Sequence, residues 1–468
     1  MRRLPLLTVV CLLVLSGCAA PMANPGVDPS DELGTVAGYT PDDTLEIDDP
    51  TALTDAELEA VTYRAMARIE VLRGLPFEED VEVEVLTREE FGAEPWYDEP
   101  ADAFTNELWR GTFVVDGETD ANEAFATLYT DAVAGYYADG RVVIVTDDTQ
   151  VSRTTLIHEL VHALQDQHFG LAREGETLDE RRAEQGIIEG EAEYIPQLYA
   201  ERCDLEWECL EEREPGVDSP EDRPFNAALF LSIFAPYSEG PSFVAHLHEE
   251  GGWDAVDAVY EEVPASTTQV IHPDRYPDVE PVDVEIEDRS SSEWVPITDD
   301  GEPRTETVGE ATLFATLWAD GVIDRPLTEG VEAYSVYNYT HPITDGWAGD
   351  TFLAYENGEE TSHVWELVWE SPADAERFED AYVDLLEANG GQEVDDGVYR
   401  IADDEPFAGA YGVDREGETV RIVGAPSVED LEAIGGDTVE TPGSPSAAHS
   451  PVIAPTTTGS EAAQAAFE

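Results

Sequence analysis

The chain has 468 residues, 105 of them acidic and 23 basic, for a formal net charge of -82 at pH 7. It contains no lysine and no basic patch able to neutralise phosphates, which argues against nucleic acid as a partner. The acids are spread along the chain, which favours solvent adaptation over a surface for cationic partners; self-repulsion is large at low salt and screened at molar salt, where the Debye length is about 3 Å.

The first element is an export signal. Met1-Arg2-Arg3 precedes an apolar run from Leu4 to Leu15, closed by Leu15-Ser16-Gly17-Cys18. The run falls short of the roughly 20 residues a spanning helix needs, so residues 1–17 read as a signal peptide with a lipobox. The paired arginines point to twin-arginine export. The alternative is an ordinary secretion signal with an incidental Cys18. Residues 18–50, rich in Pro, Gly, Asp and Thr, read as a flexible tether.

An α+β domain is expected over residues 51–210. Leu53 to Arg73 has the pattern of an amphipathic helix, and Val81 to Leu86 that of a strand. Gly135-Tyr136-Tyr137 and Arg141 to Thr146 read as a hairpin, with Asp139-Gly140 at the turn. Thr154 to His168 contains neither Gly nor Pro and is apolar around His158 and His162. Two histidines four residues apart share a helix face, so both imidazoles can grip one metal ion. Glu159 beside them can reach a water on that ion, as in the H-E-x-x-H arrangement. The bland alternative is a pair of core histidines bonded to carboxylates.

Thr177-Leu178-Asp179-Glu180 has the form of a capping box and should open the next helix. On it Glu189 and Glu193 share a face, whereas Glu191 points elsewhere. Glu189 is the best third ligand, and Glu193 or Asp166 the acceptor for a ring N–H of the histidines. These acids could instead form a solvated face. Cys203 and Cys209 close a short loop and read as a disulfide in an exported protein; a second metal site lacks partners of the usual spacing. Residues 211–350 read as mainly helical, 351–436 as a small α+β lobe, and 437–468 as a disordered tail. Gly346-Trp347-Ala348-Gly349-Asp350 is either a folded junction with Trp347 in the core or a wall of a substrate cleft. Asn338-Tyr339-Thr340 has the form of a glycosylation acceptor.

His158-Glu159-Leu160-Val161-His162-Ala163-Leu164-Gln165-Asp166 resembles the active-site helix of the gluzincin metallopeptidases. Glu189-Gly190-Glu191-Ala192 is similar to the segment that supplies their third ligand, and Glu193 to their supporting acid. This resemblance covers about residues 140–200. Twenty-six residues separate His162 from Glu189, more than in the best-known members. The whole chain also looks like a haloarchaeal family of surface lipoproteins, on His162 to Phe169, Gly346 to Asp350 and the signal sequence. The resemblance implies a gluzincin-like fold and Zn2+ held by His158, His162 and Glu189. It implies Glu159 as general base, a peptide or protein as substrate, and an edge strand that pairs with it. Tyr237, His272 and Tyr276 are candidate oxyanion donors. It further implies cleavage before Cys18 and a lipid on that residue, anchoring the chain to the membrane at the cell surface. The competing readings are a surface protein that keeps this fold but binds instead of cutting, and a structural envelope protein without metal.

Overall fold

The computed structural model describes residues 27–28, 32–91, 99–146, 151–172, 174–210, 225–358 and 360–435. The signal peptide, Cys18 and the tail over 437–468 lie outside the described residues. The fold is mixed α and β.

Helix α1 (Asp55–Arg73) opens on a capping box, in which Thr54 accepts from the Glu57 N–H and Glu57 accepts from the Thr54 N–H at 2.8 Å. Its buried face carries Met66, Ile69 and Arg68. Arg68 donates to the Pro41 carbonyl and the Tyr199 hydroxyl, both at 2.8 Å. The expected tether is therefore corrected over its second half. Val36 is buried, the Gly34 N–H donates to Glu70 at 2.7 Å, and Tyr39 stacks on Tyr63. Backbone groups bonded to buried charges hold this segment, and such docking needs no apolar run.

After β1 (Glu82–Leu86) come α2 (Arg88–Phe91), α3 (Ala103–Gly111) and α4 (Ala121–Ala132). Strands β2 (Gly135–Ala138) and β3 (Arg141–Val145) then complete a sheet in the order β1-β3-β2. β1 runs parallel to β3 and β2 antiparallel to it. Asp139 and Gly140 both take positive φ at the β2–β3 turn, which suits an Asp-Gly pair. Among the described strands, β2 pairs only with β3.

Helix α5 (Arg153–His168), capped by Ser152, packs on β2 and β3. Helix α6 (Leu178–Leu205) begins at the capping box of Thr177 and Glu180 and runs past Pro196. A disulfide joins its Cys203 to Cys209. Helix α7 (Ala227–Gly251) crosses α6 where Gly190 meets Gly240. A Cβ on Gly190 would lie 2.5 Å from the Gly240 backbone, so only glycine permits this approach. Helices α8 (Trp253–Val259) and α9 (Thr267–Ile271) follow, then a 3-10 turn over Pro273–Arg275.

The C-terminal lobe starts earlier than residue 351. It comprises β4 (Val295–Pro296), β5 (Thr298–Asp299), β6 (Glu302–Pro303), β7 (Thr305–Glu306), α10 (Gly309–Ala319), β8 (Trp347–Asn357), β9 (Glu360–Trp369) and α11 (Pro372–Ala388). It closes with β10 (Gln392–Asp395), β11 (Val398–Ile401), β12 (Gly409–Glu416), β13 (Thr419–Ala425) and α12 (Val428–Gly435). Its antiparallel sheet has the order β10-β11-β12-β13-β9-β8-β4, with β7 also on β8. β4 and β7 are two residues each, too short to show an alternating pattern. The lobe is not separate from the rest. Phe104 and Leu108 of α3 share its core, and buried Glu107 meets His363 Nδ1 at 2.7 Å.

Asp350 fixes the junction of helices and lobe. It accepts from the N–H groups of Val308 and Gly309, both at 2.9 Å, and from the indoles of Trp347 and Trp365 at 2.9 and 3.0 Å. Trp347 is 2 % exposed, so the Gly346 to Asp350 motif is a folded junction and no cleft wall. No described helix is long and apolar enough to cross a membrane.

Asp179, at the start of α6, faces this junction. Burial, with Asp350 nearby, pushes its carboxyl up to about 7, from an ordinary 3.8. The fold thus favours the protonated acid. Its contribution is complete below the unfolded pKa and is lost as pH rises through the folded one. Asp179→Asn removes that titration. Between about pH 4 and 7 the variant should gain roughly 2–4 kcal/mol on the parent, read by thermal unfolding at constant high salt. A constant difference between the two proteins across that range would contradict the assignment.

Candidate metal centre

The α5–α6 crossing brings together the residues that sequence spacing singled out. His158 and His162 lie one turn apart on α5, their Nε2 atoms 3.0 Å from each other. From α6, Glu189 Oε2 lies 3.4 Å from His158 Nε2 and 3.2 Å from His162 Nε2. Tetrahedral zinc with bonds of about 2.0–2.1 Å requires donor atoms about 3.3 Å apart. Two edges of this triangle, 3.2 and 3.4 Å, match that spacing and the third, 3.0 Å, is slightly short, so the donor set fits zinc in chemistry and closely in spacing.

The outer partners decide which ring nitrogen carries hydrogen. Gln165 Nε2 donates to the Ile188 carbonyl and to the Tyr260 hydroxyl oxygen, both at 2.9 Å. Its Oε1 therefore faces His162 Nδ1, at 2.8 Å, and that nitrogen must donate. His158 Nδ1 faces Glu193 Oε1 at 3.1 Å, again an acceptor. In the neutral rings both Nε2 atoms then present lone pairs to each other and to the Glu189 carboxylate. Three electron-rich atoms this close repel unless positive charge lies among them.

The acid–base preferences agree. Burial alone would strip a proton from His158, but Glu189 and Glu193 hold its pKa well above the ordinary imidazole value. Burial alone would raise Glu189, yet the two imidazoles hold its carboxyl well below the usual carboxylate range. Each group is thus held toward its charged form.

A buried chain of polar groups supports Gln165. Its Nε2 also lies 3.3 Å from Glu191 Oε2, which accepts from Tyr260 at 2.5 Å. Glu191 pairs in turn with the Arg73 guanidinium, which also holds Asp257. Gln165 and Tyr260 were missed in the sequence because neither carries obvious chemistry. The one legible signal was Gln165 three residues after His162, on the same helix face.

Glu159 is 5 % exposed and lies against β2. Burial raises its pKa, with His158 and His162 pulling the other way. A Cβ on Gly135 would lie 3.1 Å from its Oε1, so glycine leaves the acid its room.

The remaining site residues divide. Asp166 does not support a histidine: it is exposed and accepts from the Tyr137 hydroxyl at 2.8 Å, while Gln165 serves His162. Tyr237 of α7 is at the centre, its ring nearly parallel to that of His158 at 6.4 Å. Tyr276 is not, since its hydroxyl donates to the Glu262 carbonyl at 2.5 Å. His272 is bound elsewhere, 3.0 Å from Glu310. Both sit past the end of α9 in a turn whose folding the sequence pattern did not reveal.

A protein family described as Domain of unknown function (DUF8575) matches residues 295–435. The matched stretch is the lobe from β4 to α12 and contains none of the metal-centre residues. No curated protein and no solved structure matches the chain.

Replacing Gln165 by Met keeps its bulk and removes the acceptor for His162 Nδ1–H. Zinc affinity should fall about 10- to 100-fold. Competition with a chromophoric chelator measures it, and an unchanged affinity would show that Gln165 does not orient the ring.

Proposed function

We propose that this chain is a gluzincin-type zinc metallopeptidase, held by a lipid on Cys18 at the outer face of the cell membrane and working in concentrated salt. The observation that carries this reading is the convergence of two imidazole nitrogens and the Glu189 carboxylate on one point, with the carboxyl of Glu159 on the same helix turn. His158, His162 and Glu189 would hold the zinc. When bound, zinc supplies Lewis acidity, bringing the pKa of a water toward about 7 and polarising a peptide carbonyl.

The chain's own groups do the rest. Glu159 accepts the proton of the attacking water on its carboxylate and delivers it to the leaving amine. Its raised pKa makes it a better proton acceptor than an ordinary carboxylate and a ready donor afterwards. Gln165 and Glu193 hold the ring orientations. The edge of β2 offers backbone N–H and C=O groups to an extended peptide. Tyr237 is the remaining candidate to steady the oxyanion.

The signal sequence and lipobox support export and anchoring. The Cys203–Cys209 disulfide suits an oxidising compartment. The net charge of -82 suits a haloarchaeal surface, where salt screens it.

Glu159→Gln tests the chemistry without removing a ligand. Cleavage of casein or a peptide library in high salt should fall about 10²- to 10⁴-fold while bound zinc stays the same. Cleavage equal to the parent's would remove Glu159 as the base. A parent that binds zinc and cuts nothing would leave the binding-only surface protein.

A further inference from the structure

A second group of metal-ligating side chains lies where the helices meet the lobe. His272 follows α9, Glu310 is in the first turn of α10, and Asp345 precedes β8. One donor atom from each lies within 4.8 Å of the other two. His272 Nε2 is 3.0 Å from Glu310 Oε1 and 3.9 Å from Asp345 Oδ1.

A hydrogen bond between His272 and Glu310 accounts for only part of this. Glu310 is fully buried, and its second oxygen, Oε2, has no hydrogen-bond partner. A buried carboxylate oxygen without a partner is costly, and a cation beside it is one remedy. The surrounding charge points the same way. Two cations lie nearby: the Arg275 guanidinium pairs with Glu370 at 2.9 Å and donates to the Asp345 carbonyl at 2.8 Å, and Arg325, in electrostatic reach of Asp345, donates to the Asn338 and Thr340 carbonyls, both at 2.8 Å. Asp345 Oδ1 accepts the backbone N–H of His341 at 2.8 Å. Glu239, buried on α7 with its carboxyl pushed up to about 7 by burial, lies in electrostatic reach of His272.

We propose that His272, Glu310 and Asp345 form a second metal site, which takes a divalent transition cation of the Mn2+ class. The His272–Asp345 edge, 3.9 Å, is wider than the roughly 3.3 Å of tetrahedral zinc, while the His272–Glu310 edge is 3.0 Å, so the uneven set leaves room on the Asp345 side for a larger ion that completes its shell with water. One imidazole with two carboxylates is a mixed donor set compatible with manganese. The role is structural. The ion joins the end of α9 and the start of α10 to the segment leading into β8, beside the Asp350 junction. This site does not depend on the peptidase reading, since none of its residues belongs to the first centre.

The test uses the full chain with the first centre disabled by His162→Ala. After removal of metal in high-salt buffer, Mn2+ is titrated and the bound fraction read by electron paramagnetic resonance. One Mn2+ per chain should bind. The same protein with Asp345→Asn added should lose that equivalent; this side chain is 40 % exposed, so the change is mild. A folded His162→Ala protein that binds no Mn2+, or binding unchanged by Asp345→Asn, overturns the site. Should the double variant lose its structure, histidine-labelled His162→Ala protein decides. Mn2+ broadens the His272 ring signals if the site exists and leaves them sharp if it does not.

Discussion

Lone pairs that point at one another must share something positive. That constraint organises the centre of this protein. Glu193 and Gln165 take the Nδ1 hydrogens of His158 and His162. The Nε2 lone pairs are then committed to the corner that also holds Glu189. The rings cannot turn away without abandoning these contacts, and the carboxylate cannot leave α6. Preorganisation of this kind is what the proposed metal corner needs.

The rest of the fold keeps that corner in register. α6 carries Glu189, Glu191 and Glu193 on one stretch, and the glycine contact with α7 locks the helix in place. Glu191, turned from the corner, anchors the Arg73 and Tyr260 chain that holds Gln165. At the far end of the helix layer, Asp350 gathers two backbone N–H groups and two indoles, tying α10 to the lobe sheet. The DUF8575 match covers this lobe, whereas the candidate metal ligands are in the helices before it. The two are joined through one core, from Phe104 and Leu108 across to Trp365 and Tyr382.

Local signals were legible where the physics is local. The Thr177 capping box opens α6, and the Asp139-Gly140 pair makes the β2–β3 turn. The long connection from His162 to Glu189 proves to be largely helix, since Glu189 sits three turns into α6. What stayed hidden depends on tertiary neighbours. Asp166 has the right spacing from His162, but Tyr137 on β2 claims it. Tyr260 reaches Gln165 from just past the end of α8, far along the chain. Residues 32–45 have a linker's composition yet dock on buried arginines of α1. In the lobe, β10 and β12 carry mixed charges and glycines that leave their alternation faint.

Zinc-edge anomalous diffraction from crystals of the full chain addresses the centre directly. The account predicts a peak at about 2.0–2.2 Å from His158 Nε2, His162 Nε2 and a Glu189 oxygen. Crystals grown with zinc that show no anomalous density at that corner, with the two rings and the carboxylate unmoved, would contradict it.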